Sequence, residues 1–255
     1  MNRPLTIVTG SSRGLGLALA QALLQRGHLV LAIARGATPI ADAAPGRLVA
    51  WQQDLADSGT AAARLEAWLT AQDGAALASA TLINNAGVVS DPAPLAAGRA
   101  DELARALRVG LEAPLLLTAA FLRASAGWAL ARKVLLVSSG LGRRGMAGSA
   151  SYCAAKAGLD NLARAVALEE AARPDGARIV SLAPGVIDTD MQAQLRHADP
   201  ARFPERAGFV ALKEQGRLDS PSQAAEKVLR FLARSDYGAR PVTDLRELDS
   251  PDPAP

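Results

Sequence analysis

Short apolar runs alternate along this chain with longer Ala/Leu-rich stretches, and no other feature limits its fold so strongly. The runs lie at 5–8, 29–34, 48–51, 81–83, 133–137 and 178–182. Between them, residues 15–26, 59–71, 100–124, 150–172 and 221–234 carry apolar residues at helical spacing. The first set is too short for helices, whereas the second fits roughly three to six turns each. Strict β–α alternation of this kind predicts an α/β fold: a Rossmann-like, doubly wound parallel sheet with helices on both faces. Local punctuation agrees. Gly27 suits the end of the first helix, and Ser220-Pro221 suits a cap followed by a first helical turn. No linker-like shift in composition divides the chain, so residues 1–246 are expected to form one domain. Residues 247–255, Pro-rich at their end, are expected to form a disordered tail.

Composition removes several classes of function. Of 255 residues, 49% are hydrophobic and 21% charged, which excludes a chain too polar to build a core. The single cysteine, Cys153, rules out an intrachain disulfide framework and a multi-cysteine metal site. His28 and His197 are the only histidines and lie far apart, so no metal is expected. No apolar run approaches the ~18–20 residues needed to cross a bilayer. The N-terminus reads as a strand rather than a leader, so a cytoplasmic location without a membrane partner is expected. The net charge is +3, but the basic residues are scattered and aromatics make up 4%, so no nucleic-acid partner is expected.

The first strand runs straight into Thr9-Gly10-Ser11-Ser12-Arg13-Gly14-Leu15-Gly16 and then a helix. Glycine is needed there because a tight turn requires permissive φ angles. A pyrophosphate also needs bare N–H groups at the positive end of a helix. The G-x3-G-x-G spacing resembles that of the short-chain dehydrogenase/reductase family, and later motifs agree. Thr81-Leu82-Ile83-Asn84-Asn85-Ala86-Gly87 resembles that family's fourth strand and its Asn-Asn-Ala-Gly motif. The resemblance implies that Gly10, Ser12, Arg13, Gly14, Leu15 and Gly16 form the cofactor turn. It implies that the backbone of Asn85, Ala86 and Gly87 lies against the cofactor and that Asp54 and Leu55 hold its adenine. Pro184, Gly185, Ile187 and Thr189, after the sixth strand, resemble the loop that meets the nicotinamide end.

Cofactor choice is read from the second strand. An NAD site places an acid about 20 residues beyond the glycines, where it bonds the ribose 2′-hydroxyl. Here that place holds Ala34, followed by Arg35. A guanidinium pairs with a 2′-phosphate through charge-assisted hydrogen bonds, and Arg13 offers a second positive charge. The expected cofactor is NADP(H).

Tyr152 and Lys156 stand four residues apart, one turn along a single helical face. A phenol near its ordinary pKa of about 10 is a poor acid–base group, and a neighbouring ammonium should lower that value. Ser139 closes the run 134–139, where the family carries its substrate-polarising serine. The resemblance thus implies Ser139, Tyr152 and Lys156 as catalytic residues, with Tyr152 and Lys156 also touching the cofactor. Many family members complete a tetrad with asparagine, but Gly110 occupies that place here. Glycine keeps the backbone carbonyl and tolerates a helix distortion, while the amide side chain is lost.

The stretches 152–156, 167–170, 183–192 and 216–218 look most like the sepiapterin reductase and benzil reductase group. That implies an NADPH-dependent carbonyl reductase acting on a small-molecule ketone or vicinal dicarbonyl. A 3-oxoacyl thioester reductase or an alcohol dehydrogenase on the same machinery is the alternative within enzymes. A non-catalytic NADPH-binding regulator is the alternative of another class. Asp244, or Thr243 in a shifted register, is the nearest counterpart of the aspartate that anchors a pterin in sepiapterin reductase. Residues 191–216 are expected to form a substrate lid. Cys153 is expected to pack, and His28 and His197 to be solvated. Arg143 and Arg144, between Ser139 and Tyr152 and close to where substrate would enter, are expected to form a solvated loop, with recognition of an acidic substrate as the alternative. Relatives assemble through the helices corresponding to 100–124 and 150–172, so a homodimer or homotetramer is expected.

Overall fold

The computed structural model describes residues 2–41 and 44–248. Among the described residues, seven strands form one parallel sheet: β1 (Arg3–Thr9), β2 (Leu29–Ala34), β3 (Leu48–Gln52), β4 (Leu77–Asn84), β5 (Ala131–Val137), β6 (Arg178–Ala183) and β7 (Val242–Asp244). Their spatial order is β3-β2-β1-β4-β5-β6-β7. The helices are α1 (Gly14–Gln25), α2 (Ser58–Thr70), α3 (Ala100–Leu107), α4 (Ala113–Ala124), α5 (Ala150–Ala171), α6 (Asp190–His197), α7 (Arg206–Glu214), α8 (Pro221–Leu232) and α9 (Leu245–Leu248).

Alternate residues of each central strand feed two cores, one on each face. Leu5 and Ile7 of β1 and Leu136 of β5 pack with Leu65 of α2, Phe121 of α4 and Leu159 of α5. Val8 and Val137 turn the other way, into a cluster with Leu19 of α1 and Val228 and Leu229 of α8. Both faces of the strands are therefore apolar, as burial beneath two helix layers requires. The glycine turn leaves β1 where the order reverses, between β2 and β4. In open parallel sheets, ligands bind in the crevice at that point.

The caps fall where expected. Ser220 and Gln223 form a reciprocal capping box at α8, with Pro221 in its first turn. Gly27, with φ +84, follows α1.

The long helix expected over 100–124 is instead two helices joined by a π turn, Arg108–Glu112. Here the Ala113 N–H donates to the Arg108 carbonyl, five residues back. Pro114, in the first turn of α4, has no N–H to give the Gly110 carbonyl four residues before it. The ladder therefore slips by one residue at the glycine. Strand β7 was not foreseen. Its three residues extend the sheet beside β6, with Thr243 opposite Leu182. The expected lid is built from α6 and α7. The terminal segment stays helical to Leu248, two residues into the stretch expected as tail, and 249–255 lie outside the described residues. Among the described residues, no helix is long and apolar enough to cross a membrane.

Candidate active site

A cavity of about 1070 Å³ opens at the carboxyl ends of the strands. Of the residues expected at the site, Gly10, Ser12, Arg13, Gly14, Leu15, Arg35, Asp54, Leu55, Asn85, Ala86 and Gly87 line it. So do Ser139, Tyr152, Lys156, Pro184, Gly185, Ile187 and Thr189. Gly16 does not. A Cβ there would stand 2.2 Å from the Gly10 carbonyl oxygen and 2.5 Å from Asn85 Nδ2. Gly16 therefore serves the site indirectly, by letting α1 press against the turn.

The turn is shaped to receive an anion. Gly10 and Gly14 adopt φ +72 and +55, where a side chain would be strained. Arg13 occupies the N-cap in extended conformation without giving the helix a side-chain cap. The first N–H groups of α1 thus have no capping side chain at the positive end of the helix dipole. Thr9 Oγ1 accepts from the backbone N–H groups of Asn85 and Ala86, both at 3.0 Å, while Asn85 Nδ2 donates to the Thr9 carbonyl at 2.9 Å. The Asn-Asn-Ala-Gly loop is thereby fixed to the end of β1. Bare backbone next to an uncapped helix suits a dinucleotide's pyrophosphate.

Asp54 is held by a residue that sequence reasoning does not single out. Arg105 of α3 donates to both of its oxygens, at 3.1 and 2.9 Å, and the Ala56 N–H donates at 2.9 Å. Burial pushes the Asp54 pKa up, but the Ala56 N–H and Arg105 outweigh it and keep the carboxyl below its ordinary range. Arg35 adds to that lowering from nearby. Arg13 forms an ion pair with Asp190, at the start of α6, at 2.9 Å, and both side chains are about 70% exposed. An arginine 51 residues further along the chain leaves no periodic signal, and an exposed pair leaves none either.

At the chemical end, the Ser139 hydroxyl oxygen accepts from the Leu141 N–H at 3.2 Å, capping the turn Gly140–Gly142. Lys156 is only 4% exposed. Its Nζ donates to the Val137 carbonyl at 2.7 Å and lies 5.4 Å from the centre of the Tyr152 ring. Tyr152 departs from expectation. Burial pushes its pKa up to about 12, with the Ser139 hydroxyl pulling the other way. The ammonium reaches a carbonyl of β5 and the ring face, so it does not offset burial of the phenol. Burial in turn draws Lys156 down to about 8, and the charge of Asp160 opposes that fall.

The expected substrate anchor takes another form. Asp244 is 2% exposed and is claimed by Arg143 at 3.4 Å and Arg246 at 2.6 Å. Neither Asp244 nor Thr243 lines the cavity, whereas Arg246 does. Arg144 also lines it, but Arg143 turns away to the Thr243 carbonyl. Met191, Leu195, Phe209 and Leu212 bring the lid helices onto the cavity. Cys153 packs beside Phe203 and Leu141 beneath this lid. His197 is exposed and bonds the Ala193 carbonyl, outside the cavity. His28 is half-buried, its Nδ1 2.9 Å from Thr6 Oγ1.

A doubly wound sheet, an anion-ready helix terminus at its switch point, and serine, tyrosine and lysine on one cavity define a nicotinamide-dependent oxidoreductase of the Rossmann class. Comparison with known proteins gives the family. Residues 4–200 match the family model described as short chain dehydrogenase. The chain belongs to the short-chain dehydrogenase/reductase family, oxidoreductases acting between CH–OH and C=O. It is 34% identical over 243 residues to a benzil reductase ((S)-benzoin forming) of Bacillus subtilis, covering 95% of this chain and 98% of that one. It is 32% identical over 249 residues to the sepiapterin reductase of Xenopus tropicalis, covering 91% and 92%. A crystal structure of a short-chain dehydrogenase/reductase from Burkholderia vietnamiensis superposes with a TM-score of 0.66 at 37% identity, covering 96% and 98%.

Proposed function

We propose that this protein is an NADPH-dependent carbonyl reductase acting on a ketone or vicinal dicarbonyl. The carrying observation is that Ser139, Tyr152 and Lys156 line the same cavity as the glycine turn. The uncapped start of α1 would hold the pyrophosphate, the 85–87 backbone would lie along the cofactor, and Lys156 would meet the nicotinamide ribose. Bound there, reduced nicotinamide supplies a hydride for the carbonyl carbon. Ser139 uses its oxygen to cap its own turn, and its hydrogen, aimed at the Tyr152 oxygen, would pass to the substrate oxygen and polarise it. Tyr152 keeps its proton until negative charge builds on that oxygen, then donates it. Lys156 Nζ, held by the Val137 carbonyl, would turn to the ribose when the cofactor binds, and its charge beside the phenol would then favour the donation.

Preference for NADPH rests on Ala34 standing in the acid's place, with Arg35 next to it on the cavity. Arg13 would add its charge by exchanging Asp190 for phosphate. The apolar side of the cavity, with Met146, Met191 and Phe209, suits flat or branched carbon groups flanking the carbonyl. The relationship to benzil reductase supports the dicarbonyl reading.

The test is NADPH consumption across diketones, quinones, pterins and 3-oxoacyl thioesters. Turnover fastest on a vicinal diketone is expected. Turnover confined to acyl thioesters would replace this reading with the alternative reductase, and no turnover on any would favour a binding protein. Leu107, Leu115 and Leu168 lie exposed on α3, α4 and α5, which supports a homodimer or homotetramer through those helices. A monomer mass by light scattering at micromolar concentration would overturn that assembly. The lone cysteine suits a reducing, cytoplasmic setting.

A further inference from the structure

One buried carboxylate takes no part in the chemistry above, yet it joins the elements that carry it. Asp160 stands one helical turn beyond Lys156 on α5 and is 1% exposed. Its Oδ1 accepts from Ser138 Oγ, just past β5, and from Ser181 Oγ of β6, each at 2.7 Å. Its Oδ2 accepts no hydrogen bond and faces Arg143 Nε at 3.7 Å. Arg143 in turn holds the Thr243 carbonyl of β7 at 3.0 Å. The turn bearing Ser139 passes so close that a Cβ on Gly142 would stand 2.7 Å from Asp160 Oδ2.

A carboxylate so deeply buried is costly unless it is paired. Two neutral hydroxyls and one long ion pair leave much of its charge uncompensated. In a low-dielectric interior that charge acts strongly on an ammonium one turn away. We propose that Asp160 is a positioning residue for the reaction: it binds the ends of β5 and β6 and the Ser139 turn to α5, and holds the positive charge of Lys156 toward the cavity.

Lys156 faces the Tyr152 ring and the charge of Asp160 on its own helix and the Val137 carbonyl of β5. Around Asp160 stand Ser138 just past β5, Ser181 of β6 and Arg143 past the Gly140–Gly142 turn, with Asp244 of β7 on the far side of Arg143. Among them Asp160 is the carboxylate nearest along the helix. It already opposes the effect of burial on Lys156.

The chain has four lysines, so their titrations can be followed individually by NMR of protein carrying 13C-labelled lysine. The Lys156 signal is assigned by its absence from Lys156→Arg. In the unaltered protein it should titrate near pH 8. In Asp160→Asn, which keeps the shape and an acceptor for both serines, the midpoint should fall by about one pH unit. The basic limb of kcat/KM should move with it, a loss approaching tenfold above the limb. An unchanged midpoint in folded Asp160→Asn overturns the proposal, even if turnover drops. Should that variant not fold, Arg143→Met decides instead. Removing the competing cation should raise the midpoint, and an unmoved midpoint overturns the proposal. The inference rests on Lys156 serving the reductase chemistry proposed above. The titration itself needs no substrate, so a protein without carbonyl turnover would sink that reading and leave this measurement valid.

Discussion

Replacing Gly16 by alanine tests whether the glycine turn is held by close packing. The added methyl would lie 2.2 Å from the Gly10 carbonyl oxygen, a backbone atom that cannot swing aside. It would also lie 2.5 Å from Asn85 Nδ2, whose bond to the Thr9 carbonyl fixes the neighbouring loop. Overpacking costs about 1–3 kcal/mol, and disturbing that bond adds about 1 kcal/mol. Alanine's better helix propensity returns about 1 kcal/mol, leaving a net loss of about 1–3 kcal/mol. For a chain of this size each kcal/mol moves Tm by about 2–4 °C, so a fall of roughly 2–12 °C is expected by circular dichroism. Gly59→Ala is the control. It lies near the start of α2 with nothing within 4 Å of the new methyl, and it should leave Tm unchanged or slightly raised. Because Gly10 and Asn85 line the cavity, Gly16→Ala should also weaken NADPH in a fluorescence titration. Equal melting of Gly16→Ala and the unaltered protein, with equal cofactor affinity, would refute the packing argument.

Tyr152→Phe should keep cofactor affinity while turnover falls about 10²–10⁴-fold, the usual worth of a general acid; a variant retaining most of its activity would contradict the assignment. NADPH should bind at least about tenfold more tightly than NADH, ~1.4 kcal/mol, and Arg35→Ala should erase the difference; an unchanged ratio would remove Arg35 from the site. Burial and the neighbouring charge of Arg26 lower the His28 pKa from its ordinary 6.5. Its contribution to stability is thus complete above pH 6.5 and lost as pH falls through the depressed folded value. The decline in Tm between pH 7 and 5 should be smaller in His28→Gln, and an equal decline would count against this assignment.

What could be read in advance was whatever repeats or sits at a fixed spacing. Six strands and the α1, α2, α5 and α8 helices follow from runs whose period differs from that of their neighbours. Ser139, Tyr152 and Lys156 were legible because one helix and one strand end fix their offsets. The break at Gly110 was hidden, since its cause is a missing donor at Pro114 and helical spacing continues across it. β7 has only three residues and ends in Asp244, too short and too polar to stand out. Contacts between distant segments left no local trace. That is why Arg105 on Asp54, Arg13 on Asp190 and the arginines enclosing Asp244 emerge only from the fold. The pKa of Tyr152 belongs to the same group, because depth of burial, a property of the whole structure, governs it.

The parallel sheet also divides the molecule into a working edge and a permissive one. Most residues on the cavity lie in segments that follow a strand at its carboxyl end, Arg246 after β7 among them, and the rest come chiefly from α5 and the lid helices. The returns at 26–28, 71–76, 125–130 and 172–177 contribute none. An epitope, a fluorophore or a surface anchor grafted into one of these returns would stay remote from Ser139 and Tyr152. The same separation lets the chain diversify at that edge while its catalytic end is inherited intact.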